Sequence, residues 1–158
     1  MRVRALSLVV ALATSFVTLP ARADTLVGIA AANELVGVNL ELAGEAGSVY
    51  AVLGAYKAKT GYEIANMTGF VGLRRFEGGK YNANSYFGGI FLGDVAGGAQ
   101  YNRMGGGGEV GYQWVTDHLR FNLQMGMAIV GEASGKGAPP KSEVKPQALL
   151  GAGVSLRF

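Results

Sequence analysis

One stretch, Leu119–Val130 (L-R-F-N-L-Q-M-G-M-A-I-V), constrains the fold more than any other. Leu119, Phe121, Leu123, Met125, Met127 and Ile129 are large and apolar; Arg120, Asn122, Gln124, Gly126 and Ala128 between them are polar or small. A strict period of two is the side-chain repeat of a β-strand. A strand of about 12 residues is roughly twice the usual length. At ~3.3 Å per residue it reaches roughly 40 Å, enough to cross a bilayer when tilted. A soluble sheet that hides one apolar face would alternate in the same way, so the rest of the chain must decide.

The rest of the chain repeats the pattern. In Glu34–Ala43, Val36, Val38, Leu40 and Leu42 share one face, with Gly37, Asn39 and Glu41 on the other. In Ser48–Tyr56, Val49, Ala51, Leu53 and Ala55 oppose Tyr50, Gly54 and Tyr56. In Gly108–Val115, Val110, Tyr112 and Trp114 oppose Glu109, Gly111 and Gln113. In Gln147–Phe158, Ala148, Leu150, Ala152, Val154, Leu156 and Phe158 oppose Gln147, Gly151, Gly153, Ser155 and Arg157. Tyr62–Phe76 is a further long segment, and Ser85–Val95 is so uniformly apolar or Gly that its facing is unreadable. Thr25–Ala31 is a weaker strand, joined to the next by a tight Ala32-Asn33 connection. Gly44–Gly47, Lys57–Gly61, Glu77–Asn84, Ala96–Gly107, Thr116–His118 and the Pro-bearing Gly131–Pro146 read as turns or loops. With the opening strand this makes eight.

Composition sets the address. Arg2 and Arg4, the apolar run Ala5–Leu19, Pro20 and the small-x-small site Ala21-Arg22-Ala23 make residues 1–23 a signal peptide, with residues 24–158 as one domain. The chain carries 14 basic and 11 acidic residues; cleavage would remove Arg2, Arg4 and Arg22 and leave 11 against 11. A neutral chain has no electrostatic claim on nucleic acid. The absence of cysteine excludes a disulfide framework, a thiolate metal site and an N-terminal lipoprotein anchor. With no long apolar run after the signal, a membrane position would require strands closed into a barrel. The short turn at 116–118 and the long loop at 131–146 match the end-to-end asymmetry of such barrels, with both termini at the short-turn, periplasmic end. The expected fold is therefore all-β: an eight-stranded, antiparallel, transmembrane up-and-down β-barrel.

The polar faces would then line a narrow lumen. They carry Asn39, Glu41, Glu109, Gln113, Arg120, Asn122, Gln124 and Arg157 among glycines, with Arg74 joining them. Unpaired buried charge is costly. Glu41 and Glu109 are therefore expected to be neutralised by some of Arg74, Arg120 and Arg157, as a structural plug; the competing reading is a substrate site or ion path. Tyr50, Tyr56, Tyr62, Phe76, Tyr86, Tyr112, Trp114 and Phe158 lie near strand ends, as aromatic girdles do. Phe158 ends an alternating strand with an aromatic carboxylate, which resembles the signal read by the outer-membrane barrel assembly machinery.

Gly72-Leu73-Arg74-Arg75-Phe76, Gly88-Gly89-Ile90-Phe91-Leu92-Gly93 and Gly111-Tyr112-Gln113-Trp114, with an alternating strand after the last, carry a resemblance. The chain is similar to small outer-membrane β-barrel proteins of Gram-negative bacteria, and among them to an uncharacterised group of eight-stranded barrels. The resemblance implies an outer-membrane location and contact with its lipid and lipopolysaccharide, but no activity and no site.

Enzymatic chemistry finds little footing. Lipid A acyl-modifying barrels need a histidine beside a serine; His118 is the single histidine, in a turn, with no serine near it in sequence. The run Gly105–Gly108 is followed by no Lys-Ser/Thr and is no phosphate loop. Three classes stand: a structural or surface barrel with no chemistry of its own, a narrow channel or lipid- or small-ligand-binding barrel, and an acyl-modifying enzyme. The first is the expectation, as a monomer without cofactor or metal.

Overall fold

The computed structural model describes residues 23–56, 67–98, 101–134, 138 and 143–158. Eight strands follow one another: β1 (Asp24–Ala32), β2 (Leu35–Gly44), β3 (Gly47–Tyr56), β4 (Met67–Phe76), β5 (Ser85–Gly98), β6 (Tyr101–Val115), β7 (Leu119–Val130) and β8 (Lys145–Arg157). Each pairs antiparallel with its neighbour in sequence, and β8 pairs with β1, so the sheet closes into an up-and-down barrel. Closure removes both sheet edges and leaves no row of unpaired backbone groups. It also forces a stagger. Val27 lies opposite Leu156 across β1–β8, yet the pairing followed the other way round, through Leu40, Ala51, Val71, Leu92, Gly106 and Ile129, arrives at Pro146. That offset along β8 is the shear that tilts barrel strands.

The alternation read from the sequence sets the facing. Leu123, Met125, Met127 and Ile129 are 58–63% exposed, while Arg120, Asn122 and Ala128, at the opposite parity, are buried. Val36, Val38, Leu40 and Leu42 likewise point out, and Asn39 and Glu41 point in. The weak first strand is a full member of the sheet. Its turn is Asn33-Glu34, one residue later than expected, with Asn33 at φ 52°, a left-handed conformation that asparagine tolerates. In β5, Ser85, Phe87 and Phe91 face the lumen and Tyr86, Ile90 and Leu92 face out.

Three expectations are corrected. Residues 96–98 and 101–107 are strand and not loop: β5 runs on to Gly98 and β6 begins at Tyr101, with Ala96 paired to Arg103 and Gly97 to Asn102 after a bulge at Asp94/Ala96. Glycines that look like loop residues are needed there, because a Cβ on Gly105 or Gly107 would strike the β7 backbone or side chains. The segment 131–146 gives up its last two residues to β8, where Lys145 and Pro146 pair with Val130 and Ile129. Proline, which lacks an N–H, is tolerated at the start of a strand. Tyr50, Tyr56 and Phe76 are buried in the lumen and are no part of a girdle, whereas Tyr86, Trp114 and Phe158 are exposed. Expectations for residues 1–22 and 57–66, including Tyr62, lie outside the described residues.

The lumen is filled, and differently at its two ends. The end bearing the termini holds Glu41, Arg74, Glu109, Arg120 and Gln113. The opposite half holds an apolar cluster of Leu35, Val52, Phe70, Phe91, Val130 and Leu149 with their neighbours.

Candidate functional site

The ionic cluster is assembled from four strands far apart in sequence. Glu41 stands on β2, Arg74 on β4, Glu109 on β6 and Arg120 on β7, each at an inward parity position. Arg120 grips Glu41 with both terminal nitrogens: Nη1 donates to Oε1 at 2.9 Å, and Nη2 donates to Oε2. Arg74 links the two carboxylates. Its Nη1 donates to Glu41 Oε2 at 3.1 Å and its Nε to Glu109 Oε1 at 2.7 Å. Its remaining terminal nitrogen donates to Gln124 Oε1. Tyr50 donates its hydroxyl to Glu109 Oε1 at 2.9 Å. The Arg74 guanidinium also lies 3.9 Å from the Tyr50 ring centroid and 4.8 Å from that of Phe87. Bidentate and charge-assisted bonds are the strong class of hydrogen bond, and cation–π contacts add to them when desolvated.

Two arginines and two glutamates make the network neutral. All four are at most 6% exposed. Burying an ion costs several kcal/mol unless its charge and lone pairs are matched, and here each carboxylate has a cationic partner. Arg120 Nε is left without a hydrogen-bond partner among the described residues. Glycines make the room. A Cβ on Gly72 would lie 2.6 Å from the Tyr50 hydroxyl oxygen, and one on Gly89 would lie 3.1 Å from Glu109 Oε1 and 3.2 Å from Arg74 Cγ. Larger residues at these positions would displace the side chains that carry the charges.

Both sides of the network are closed. Toward the termini, Phe76 and Phe87 meet edge to face at 6.1 Å. Below them the turn after β4 folds over the opening. Gln113 Nε2 holds it through Lys80 O (3.1 Å), Tyr81 O (3.0 Å) and Ala83 O (2.9 Å). On the other side Tyr50 abuts Phe70, and Phe70 abuts Phe91, each at 6.0 Å. Between Phe70, Phe91, Glu109 and Gln124 remains a void of about 10 Å³, at the limit of what a single water needs.

Of the residues singled out from sequence, the structure unites Glu41, Arg74, Glu109 and Arg120. Arg157 is not among them: it stands at the rim by the termini, 3.6 Å from Asp24 and partly exposed. The reason is register. Ser155, not Arg157, is paired with Arg120, and Arg157 lies opposite Leu26 beyond the network. Phe158 is 74% exposed, and its backbone pairs with Thr25. Sequence reading missed Tyr50, Gln124 and Phe87 as partners of the charges. Alternation puts Tyr50 on the face opposite Val49 and Leu53, but with apolar or aromatic residues on both faces Ser48–Tyr56 does not mark which one points inward, and the girdle reading pulled Tyr50 outward.

Chemically, the carboxylates and guanidiniums of the network are committed to each other. His118 is exposed in the β6–β7 turn. Among the described residues no three His, Asp or Glu side chains gather to hold a metal ion. No family model, no curated protein and no solved structure matches the chain.

Proposed function

We propose that this chain is an integral outer-membrane β-barrel protein of a Gram-negative bacterium with a structural or surface role, a sealed lumen and no chemistry of its own. The observation that carries the reading is the outward face of the closed barrel. Ile29, Val38, Leu53, Val71, Leu123 and Leu150, on β1, β2, β3, β4, β7 and β8, are all exposed. In water such a continuous apolar surface is a liability. In hydrocarbon it is the requirement, and a closed barrel is the one sheet that satisfies all its backbone groups there. The connections agree in part: the two longest, Tyr56 to Met67 and Val130 to Lys145, both lie at the end away from the termini, although that end also has the short Ala32-to-Leu35 and Gly98-to-Tyr101 connections. On this reading the surrounding lipid and lipopolysaccharide and, during biogenesis, the barrel assembly machinery are its partners.

The filled lumen supports a structural role over a channel. Membrane fractionation and reconstitution test the two halves of the proposal. The native protein should sediment with outer membranes, and the refolded barrel should show no steady conductance in a planar bilayer. Recovery as a soluble periplasmic protein would overturn the location; a stable ohmic pore would overturn the sealed lumen.

A further inference from the structure

The outward face carries one basic side chain among the described residues, and it stands beside a gap in shape. Arg75 lies between the inward-facing Arg74 and Phe76, so it points out. It is the one basic side chain on the outward strand faces among the described residues, and it makes no hydrogen bond or ion pair with any of them. Directly opposite it in the β4–β5 pairing is Gly88. The lumen glycines have a packing reason, but Gly88 does not: a Cβ there would meet nothing nearer than Glu109 O at 3.8 Å. The missing side chain leaves a shallow, open depression lined by Arg75, Glu77, Gly78, Tyr86 and Gly88, with Phe76 and Phe87 beneath.

The walls of this groove are chemically divided. Arg75 supplies a guanidinium, and Glu77, exposed in the turn that follows β4, supplies a carboxylate. Tyr86, 65% exposed, begins an aromatic ledge that continues through Tyr112 at 4.8 Å and Trp114 at 4.9 Å. Aromatic ledges of this kind sit at the level of lipid headgroups. Away from the rim the floor turns apolar: Ile90 and Val110 rise on either side of Gly88 and Gly108, and a Cβ on Gly108 would also be free, 3.6 Å from Gly89 O. The groove thus has an anion-binding group and a cation-binding group at its mouth and a shallow apolar track leading from it.

We propose that the groove seats a zwitterionic phospholipid with a primary ammonium, a phosphatidylethanolamine, in the leaflet at the terminal end of the barrel. The inference rests on the membrane reading above. The phosphate meets Arg75, whose planar fork suits two phosphate oxygens. The ammonium donates to Glu77, and one acyl chain lies over Gly88 and Gly108. Charge complementarity decides the lipid class. Phosphatidylglycerol offers Glu77 no cation, and the trimethylammonium of phosphatidylcholine has no N–H to donate.

The test uses the full barrel refolded in micelles containing equal amounts of the three phospholipids, with retained lipids counted by native mass spectrometry. The unmutated protein should retain phosphatidylethanolamine about tenfold over the other two, the margin of one well-placed charged contact. Arg75→Gln should abolish retention of all three. Glu77→Gln should erase the preference for phosphatidylethanolamine over phosphatidylglycerol while leaving binding. Gly88→Leu should block the track with both charges intact. All three positions are outside the lumen, and a heat-dependent gel shift confirms that each variant folds. Equal retention of the three lipids, or a profile unchanged by Arg75→Gln and Gly88→Leu in a folded barrel, overturns the seat and leaves the membrane reading standing. A chain that stays folded and soluble without detergent or lipid overturns both.

Discussion

The two halves of the lumen solve one problem, filling a narrow closed sheet, by opposite means. The half at the terminal end is directional: Arg120, Glu41, Arg74, Glu109 and Tyr50 form a chain of hydrogen bonds across β2, β3, β4, β6 and β7. The other half is non-directional: Leu35, Val52, Phe70, Phe91, Val130 and Leu149 fill space. Tyr50 belongs to both, with its ring on Phe70 and its hydroxyl on Glu109. The difference teaches where specificity resides. Apolar contacts tolerate a shifted partner of similar volume, whereas a bidentate pair holds only if the strands that carry it are in register. The ionic half therefore ties distant strands to one register, and the apolar half seals the barrel whatever the charges do.

The comparison can be broken first where it is most brittle. Glu41→Ala strands Arg120 and half of Arg74 and should cost about 3–5 kcal/mol in refolding measurements, the range for breaking a buried pair. Arg120→Ala should cost nearly as much. The double variant should cost clearly less than the sum, because Arg74 and Glu109 remain as a neutral pair. Additive costs would mean that the two are not energetic partners.

Next comes the apolar half. Leu35→Ala should cost about 2–5 kcal/mol by cavity formation, and combined with Arg120→Ala the two should add, since the halves share few contacts. Conductance sharpens the point. Neither Arg74→Ala alone nor Phe70→Ala with Phe91→Ala should open a steady pore, because the other half still seals it. A pore from the charge variant alone would show the apolar half to be no barrier.

On the outer face, Leu123→Arg should cost roughly 2–4 kcal/mol if the site meets lipid near the bilayer midplane. A negligible cost in lipid would contradict the outward belt as a membrane surface. The smallest effect is expected at the rim. Arg157→Ala breaks a partly exposed pair with Asp24 at 3.6 Å, worth no more than about 1 kcal/mol. A loss as large as that of Arg120 would place Arg157 back in the network.

Much of the barrel was legible before any coordinates. Alternation is a local property: successive side chains of an extended backbone point to opposite sides, so Leu119–Val130 declares its two faces wherever it is placed. The parity of Glu41, Glu109 and Arg120 follows from the same geometry. Residues 96–107 defeated this reading because glycine carries no alternation and is common in turns. There residues 96–98 and 101–104 are strand because β5 and β6 pair with each other past the bulge, and only from Gly105 on does β7 pair as well; backbone pairing of this kind leaves no mark in glycine-rich sequence.

What only the tertiary structure decided is who meets whom. Whether Arg120 or Arg157 reaches Glu41 depends on the stagger accumulated around eight strands, and a shift of two residues in one pairing would exchange such partners without altering a single facing. The division of the lumen has the same origin. Phe70 and Arg74 stand two inward positions apart on one strand, and each falls among its own kind only because tilted neighbours bring Phe91 beside the first and Glu109 beside the second. Facing is set by the bond geometry of each residue, but register is set by closure, which no segment contains.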